Sequence, residues 1–152
     1  MPLHLADIIS NVSASSVYAN DYSNYTPLNL YDGNKWTAWI EGVSGAGIGE
    51  YIMLHFDDAY AISEFSILTG CHYKKDSTYF ERNNRPSAIT LLFSDGRSKY
   101  IQLDDSRDYH QAFSFSECYY TDYVYIIIED VYGGTQWDDT AIAEIDIIAY
   151  IP

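Results

Sequence analysis

Asp32, Asn34 and Thr37 set three oxygen-bearing side chains within six residues, with Gly33 between the first two. They open the stretch DGNKWTAWIEGVSGAGIGEY (Asp32–Tyr51), which holds five of the chain's nine glycines and two of its three tryptophans. Two chemistries compete for such a stretch. A glycine loop cradles phosphate when it follows a strand and opens a helix, so that backbone N–H groups and the helix N-terminus face the anion. Here Gly45, Gly47 and Gly49 run G-x-G-x-G, no Lys-Ser or Lys-Thr pair follows, and the next segment, EYIMLHF, alternates like a strand. The phosphate reading fails on context. A hard cation fits better, because Ca²⁺ takes six to eight oxygens, and irregular loops expose backbone carbonyls to it. The spacing is not that of an EF-hand, since no Glu stands at the twelfth position from Asp32. The plain alternative is that Asp32 and Asn34 simply cap a turn.

Other side chains offer less. His4, His55, His72 and His110 share no motif, and no Ser-His-Asp or Cys-His arrangement has a recognisable context. Cys71 and Cys118, the only cysteines, cannot supply a zinc site of the usual spacing, and sequence leaves their pairing open. Glu41 and Asp138 would serve a glycosidase only if their carboxyls stood about 5 Å or about 6.5–9.5 Å apart across a cleft, which small sandwiches rarely enclose.

The charge narrows the partners. Twenty-two acids against eight Lys and Arg give a formal charge of −14. That field repels phosphate backbones and anionic lipid, and so argues against nucleic acid and membrane surfaces; it suits bound Ca²⁺ or a neutral partner, or solubility alone. Sixteen tyrosines supply apolar faces with polar tips, which serve sheets and sugar-contacting surfaces alike. No apolar run reaches the 18 or so residues of a membrane span. MPLHLADIISNVSASS lacks the basic n-region and long h-region of a signal peptide. The expectation is an extracellular or cell-surface module of a longer chain, one domain over residues 1–152 that buries roughly 70% of its unfolded surface.

The elements that must position these residues read as strands. EYIMLHF (50–56) places Ile52, Leu54 and Phe56 on one face, and AISEFSIL (61–68) follows an expected turn at Asp57-Asp58. SAITLLF (87–93) turns at Ser94-Asp95-Gly96 into RSKYIQL (97–103), a strong hairpin signal. YVYIIIEDV (123–131) and AIAEIDIIAY (141–150) close the chain, and NVSASS (11–16) opens it. The one helical candidate is a single turn at Pro27–Tyr31 after Thr26. Seven or eight short strands with turns between them predict an all-β sandwich or barrel.

LYDGNKWTAWIEG, GVSGAGIGE, NNRPSAITLLFSDG, VYGGTQWDDTAIAEI and the final TAIAEIDIIAY stand in an order that resembles the discoidin-like domains. These are also described as coagulation-factor C-type domains or family-32 carbohydrate-binding modules. The likeness runs from about Ile9 to Tyr150 and is greatest to the bacterial NADase-type glycan-binding branch. It implies an eight-stranded jelly-roll sandwich. It also implies a structural Ca²⁺ held by the side chains of Asp32, Asn34, Thr37 and Glu144 and by backbone oxygens of Asn29 and Ala143. One cation would thereby tie together residues more than a hundred positions apart.

In this family sugar sites lie on loops at one end of the sandwich, where an aromatic platform meets a few polar groups. Three loops qualify here: 39–50, 70–86 and 132–140. They carry the expected ligand-binding residues Trp39, Glu41, Tyr73, Asn84, Arg85, Tyr132, Trp137 and Asp138. For several a structural role competes. Trp36 or Trp39 could plug the core, and Arg85 could bridge to Glu41 or Glu50. The resemblance implies a non-catalytic module that binds a glycan or glycoconjugate, accompanies other domains of a parent chain, and is not itself the catalyst. A protein-interaction or adhesion module would reuse the same loops. Two departures point away from lipid binding: no cysteine near either end, and no hydrophobic spikes with basic residues around them.

Overall fold

Ile52, Leu54 and Phe56 are buried while the alternate residues Tyr51 and His55 are exposed and Met53 is half-buried, which is the pattern of a strand with one face on a core. The computed structural model describes all 152 residues. Its strands are β1 Leu3–His4, β2 Ile9–Ala14, β3 Trp39–Ile40, β4 Tyr51–Thr69, β5 Arg85–Phe93, β6 Ser98–Gln102, β7 Gln111–Tyr132 and β8 Ala141–Tyr150. α-Helix is limited to α1 Leu5–Ile8 and α2 Tyr79–Arg82, a single turn each. The single helical turn expected at Pro27–Tyr31 forms as a 3-10 turn, with Thr26 Oγ1 accepting the Leu28 N–H at 3.3 Å. No helix is long and apolar enough to cross a membrane.

β4 and β7 run 19 and 22 residues, and each serves two layers of an all-antiparallel sandwich. The first half of β4 pairs β2 through Ile9–Phe56 and Ala14–Ile52, and pairs the end of β7 through Tyr51–Ile127. Its second half pairs the start of β7 and also β8, from Ala61–Tyr150 to Thr69–Ile142. β5 continues the first layer beside the end of β7, and β6 is its edge. A core of 23 buried residues lies between, including Phe56, Phe65, Phe93, Ile126 and Ile145. Burying that apolar surface is the main stabilising term.

Two expectations about strands need correction. Asp57-Asp58 is not a turn between two strands but a bend inside β4, where the register shifts between His55 and Tyr60. Asp57 accepts the Tyr60 hydroxyl at 2.5 Å and Asp58 caps the Ala59 N–H at 2.8 Å, so both acids fix the bend. The stretch before Tyr123 is also strand, although the sequence reading placed none there; Phe113 and Phe115 pack on the core from it. The Ser94-Asp95-Gly96 hairpin forms as read, with Gly96 at φ +86°, a backbone that favours glycine. Cys71 and Cys118 are free thiols.

Candidate functional site

At one end of the sandwich the chain between β2 and the 3-10 turn, the loop after β4 and the loop before β8 line an open cavity of about 210 Å³. Four rings wall it, from Tyr18, Tyr25, Tyr79 and Trp137; Asn83 and Asp139 add polar groups, and Ile40 and Cys71 complete the lining. Tyr18 meets Tyr25 edge to face at 5.6 Å, and Tyr79 lies 5.5 Å from Trp137 at a 50° tilt. The Arg82 guanidinium reaches both members of the second pair, 5.5 Å from Tyr79 and 5.9 Å from Trp137. Burial, reinforced by the like charge of Asp138, pushes the Asp139 carboxyl above its ordinary pKa. Burial likewise drives the Cys71 thiol up to about 11, so it is a neutral, unreactive wall. The arrangement suits a small ring with apolar faces and hydroxyl edges.

Several expected ligand residues hold the loops instead of lining the cavity. Trp39 is completely buried and donates its Nε1–H to the Ser16 carbonyl at 2.9 Å, so it is the core plug and cannot stack on a ligand. Trp36 is the exposed tryptophan of that segment. Glu41 is also fully buried. Its carboxylate accepts the Val43 and Thr140 N–H groups at 2.9 and 3.1 Å, lashing the glycine stretch to the start of β8. Gly47, at φ +75°, sits so close that an added Cβ would lie 2.5 Å from that carboxyl, which explains a glycine there. Asn84 is 1% exposed and spends its amide on Asp138 (2.8 Å) and on the Gly134 N–H (2.6 Å), bracing the loop that presents Trp137.

Arg85 pairs with neither Glu41 nor Glu50. It is buried and grips Asp105 through two bonds of 2.7 and 2.8 Å, while its third nitrogen donates to the Asn83 carbonyl at 3.1 Å. Arg85→Ala should therefore lower stability by about 1–2 kcal/mol, less than a fully buried pair would because the Asp105 side chain is 38% exposed. Chemical denaturation checks this, and sugar binding at the cavity should persist in the folded fraction. Tyr132 donates its hydroxyl to the Leu103 carbonyl at 2.8 Å and lies outside the cavity lining. Asp138 is exposed beside it, and Tyr73 faces a neighbouring cleft. Of the eight expected residues only Trp137 lines the cavity itself.

The oxygen cluster is compact. Asp32 accepts the Asn34 N–H at 2.9 Å and the Thr37 hydroxyl at 2.5 Å, and Asn34 Oδ1 accepts the Trp36 N–H at 3.0 Å. Those bonds alone would make a capped turn. Glu144, a residue only 7% exposed, adds what a turn does not need: from β8 it brings a carboxyl whose Oε1 is buried without any hydrogen-bond partner. Burial first, then the Asp32 carboxyl beside it, push the Glu144 pKa up to about 8, against an opposing pull from the Gly33 and Asn34 N–H groups. Asn29 directs its amide to the Asn24 and Ala38 carbonyls, and Ala143 is fully buried next to Glu144 in β8. An orphaned buried oxygen on Glu144, beside the Asp32 carboxyl that also holds the Asn34 N–H and the Thr37 hydroxyl, fits a hard divalent cation.

Bent strands shared by two layers, with a cavity among the loops at one end, define a discoidin-like β-sandwich. The chain belongs to the family of NAD glycohydrolase translocation F5/8 type C domains, whose model matches residues 4–148. Among solved structures it is similar to the family 32 carbohydrate-binding module of C. perfringens NanJ in complex with galactose, with a TM-score of 0.69 and 14% identity over 97% of this chain and 99% of that one. An F5/8 type C domain from Bacteroides fragilis gives 0.67 and 17%, over 93% and 94% of the two chains. The family 32 module of AlyQ, in complex with 4,5-unsaturated mannuronic acid, gives 0.64 and 18%, over 91% and 94%. At such identities the likeness is one of fold. No curated protein matches the chain in sequence.

Proposed function

We propose that this domain is a non-catalytic glycan-binding module which receives a sugar in the aromatic cavity and carries a structural Ca²⁺ at Asp32, Asn34, Thr37 and Glu144. The observation that carries the first part is the cavity itself: four aromatic rings with one carboxyl and one amide, at the loop end of a sandwich. Trp137 and Tyr79 offer the stacking faces, and Asn83 and Asp139 the hydroxyl partners. Support for a sugar ligand also comes from the NanJ and AlyQ modules, each of which holds a sugar. The cavity contains a single carboxyl, Asp139, whereas glycoside hydrolysis takes two; this supports binding without chemistry. The cation part rests on the orphaned Glu144 oxygen. Backbone oxygens of Asn29 and Ala143 complete the ligand set. The family description, a translocation domain of an NAD glycohydrolase, supports a module that accompanies another domain outside the cell.

An open site of this size pairs stacking with few polar contacts, and ordering the ligand offsets much of the gain. Affinity for one sugar should be roughly micromolar to millimolar, about −8 to −4 kcal/mol. A glycan array probed with the domain in Ca²⁺ and again in EDTA tests the reading. Hits that weaken in EDTA support both parts, and hits indifferent to EDTA refute the cation's role in shaping the site. An empty array, with a protein captured through Trp137 instead, replaces the glycan by an adhesion partner.

A further inference from the structure

The eight cationic side chains are not used alike. Each of the four arginines is ion-paired: Arg82 with Asp76, Arg85 with Asp105, Arg97 with Asp95, and Arg107 with Glu81 and Asp108. None of the four lysines forms an ion pair, although 22 acids are available. Two of these free lysines, Lys35 and Lys74, line one cleft of about 290 Å³ together with Arg107. Their ammonium groups come from loops 39 positions apart in sequence, Lys35 before β3 and Lys74 after β4. Lys35 Nζ is held 4.6 Å over the Trp36 ring, a contact that orients an exposed ammonium. Lys74 is presented by a tight turn closed by the Asp76 N–H donating to the Tyr73 carbonyl at 3.1 Å. Asp108 is the single acid in the lining.

This cleft adjoins the aromatic cavity. Tyr73 belongs to the cleft and Tyr79 to the cavity, and their rings stand 4.9 Å apart, with Trp137 a further 5.5 Å from Tyr79. The two depressions are thus divided by one pair of aromatic rings. A chain of −14 repels anions at long range, but beyond about 8–10 Å that field is screened at physiological salt. Within the cleft Arg107 is taken up by Glu81 and Asp108, which leaves Lys35 and Lys74 as the unpaired charges, so the local sign is reversed.

We propose that the Lys35–Lys74–Arg107 cleft is a second subsite, which takes the carboxylate of an acidic sugar when the neighbouring neutral sugar occupies the aromatic cavity. The inference rests on the glycan-binding reading and names its ligand class: an oligosaccharide in which a uronic acid adjoins a neutral pyranose. Lys35 and Lys74 supply point charges, and Trp36 and Tyr73 supply the faces against which the acidic ring lies.

The test titrates the domain, in Ca²⁺ and at physiological ionic strength, with glucuronosyl-galactose and with its methyl ester, which has nearly the same shape and no charge. Exposed ion pairs are individually weak, so the acid should bind roughly fivefold more tightly than the ester, and the advantage should fade in high salt. The Lys35→Gln/Lys74→Gln double variant should bind both ligands with the affinity wild type shows for the ester. Both positions are exposed, and an unchanged melting temperature in Ca²⁺ confirms that fold and cation loop are intact. Equal affinity of wild type for acid and ester overturns the subsite, as does a double variant that keeps the preference. If wild type binds neither ligand but binds neutral glycans on an array, the subsite alone is wrong. If it binds no glycan at all, the reading beneath it fails as well.

Discussion

Trp137→Ala should abolish detectable glycan binding. The Trp137 ring is half-buried on the cavity wall, tilted against Tyr79 and within reach of Arg82, and its backbone is fixed independently by the N–H it donates to the Arg82 carbonyl at 2.8 Å. Removing the side chain therefore takes away a stacking face without freeing the loop, which Asn84 continues to brace through Asp138 and Gly134. Aromatic anchors of binding sites commonly carry about 2 kcal/mol or more, and 1.4 kcal/mol is a factor of ten. A loss of that size is roughly thirtyfold, enough to carry a ligand already in the micromolar-to-millimolar range out of reach of most titrations. The fold should suffer little, with a stability cost of about 1 kcal/mol from the lost ring contacts. Isothermal titration and thermal melting on the same sample separate the two effects. A variant that binds as wild type does would remove Trp137 from the site.

The second large effect is on stability. Saturating Ca²⁺ binds the folded state alone, so at a hundredfold excess over Kd it should add about 2.7 kcal/mol, seen as a raised melting temperature that EDTA reverses. Asp32→Ala should erase the response. Glu144 gives a signed pH dependence as well. In the metal-free fold its carboxyl keeps a proton up to about pH 8, whereas the unfolded chain releases it near 4.5. Between those values the folded state binds more protons, so metal-free stability should fall as pH rises through that window. Glu144→Gln removes the buried charge. In EDTA at pH 8 it should be more stable than wild type by at least about 1.4 kcal/mol, the worth of one pKa unit, and it should gain nothing from Ca²⁺. If EDTA leaves the wild-type melting curve unmoved and Asp32→Ala melts like wild type, the cluster is a capped turn.

The sandwich was legible because strand period and core burial are one physical fact. Ile52, Leu54 and Phe56, or Ile89, Leu91 and Phe93, show it directly. The bend at Asp57-Asp58 was misread because acids next to an apolar run mark a turn and a bulge equally well. Each of the three expected loops contributes to the cavity lining, through Ile40, through Cys71, Tyr79 and Asn83, and through Trp137 and Asp139, but of the eight expected side chains only Trp137 does so. Asn84, Arg85 and Glu41 look like ligand groups by type, yet all three are buried and spend their polar atoms on backbone or a partner carboxylate. Only burial distinguishes a brace from a contact, and burial depends on residues far away in the chain. Tyr18 and Tyr25 were missed altogether. Their signal was present in VYANDYSNYT, where tyrosines recur in a polar stretch without strand alternation. The Lys35 and Lys74 pairing left no local trace, because it arises only when β3 and β4 bring their flanking loops together.

The central claim is that sugar occupies the cavity between Tyr18, Tyr25, Tyr79 and Trp137. An amide and indole N–H spectrum of the labelled domain, recorded in Ca²⁺ during titration with an array-identified glycan, tests it most directly. The account predicts fast-exchange shifts concentrated at Tyr18, Tyr25, Tyr79, Asn83, Asp139 and the Trp137 indole, with the buried Trp39 indole unmoved. Shifts confined to the β6 edge or the outer sheet faces, with the Trp137 indole silent, would contradict it.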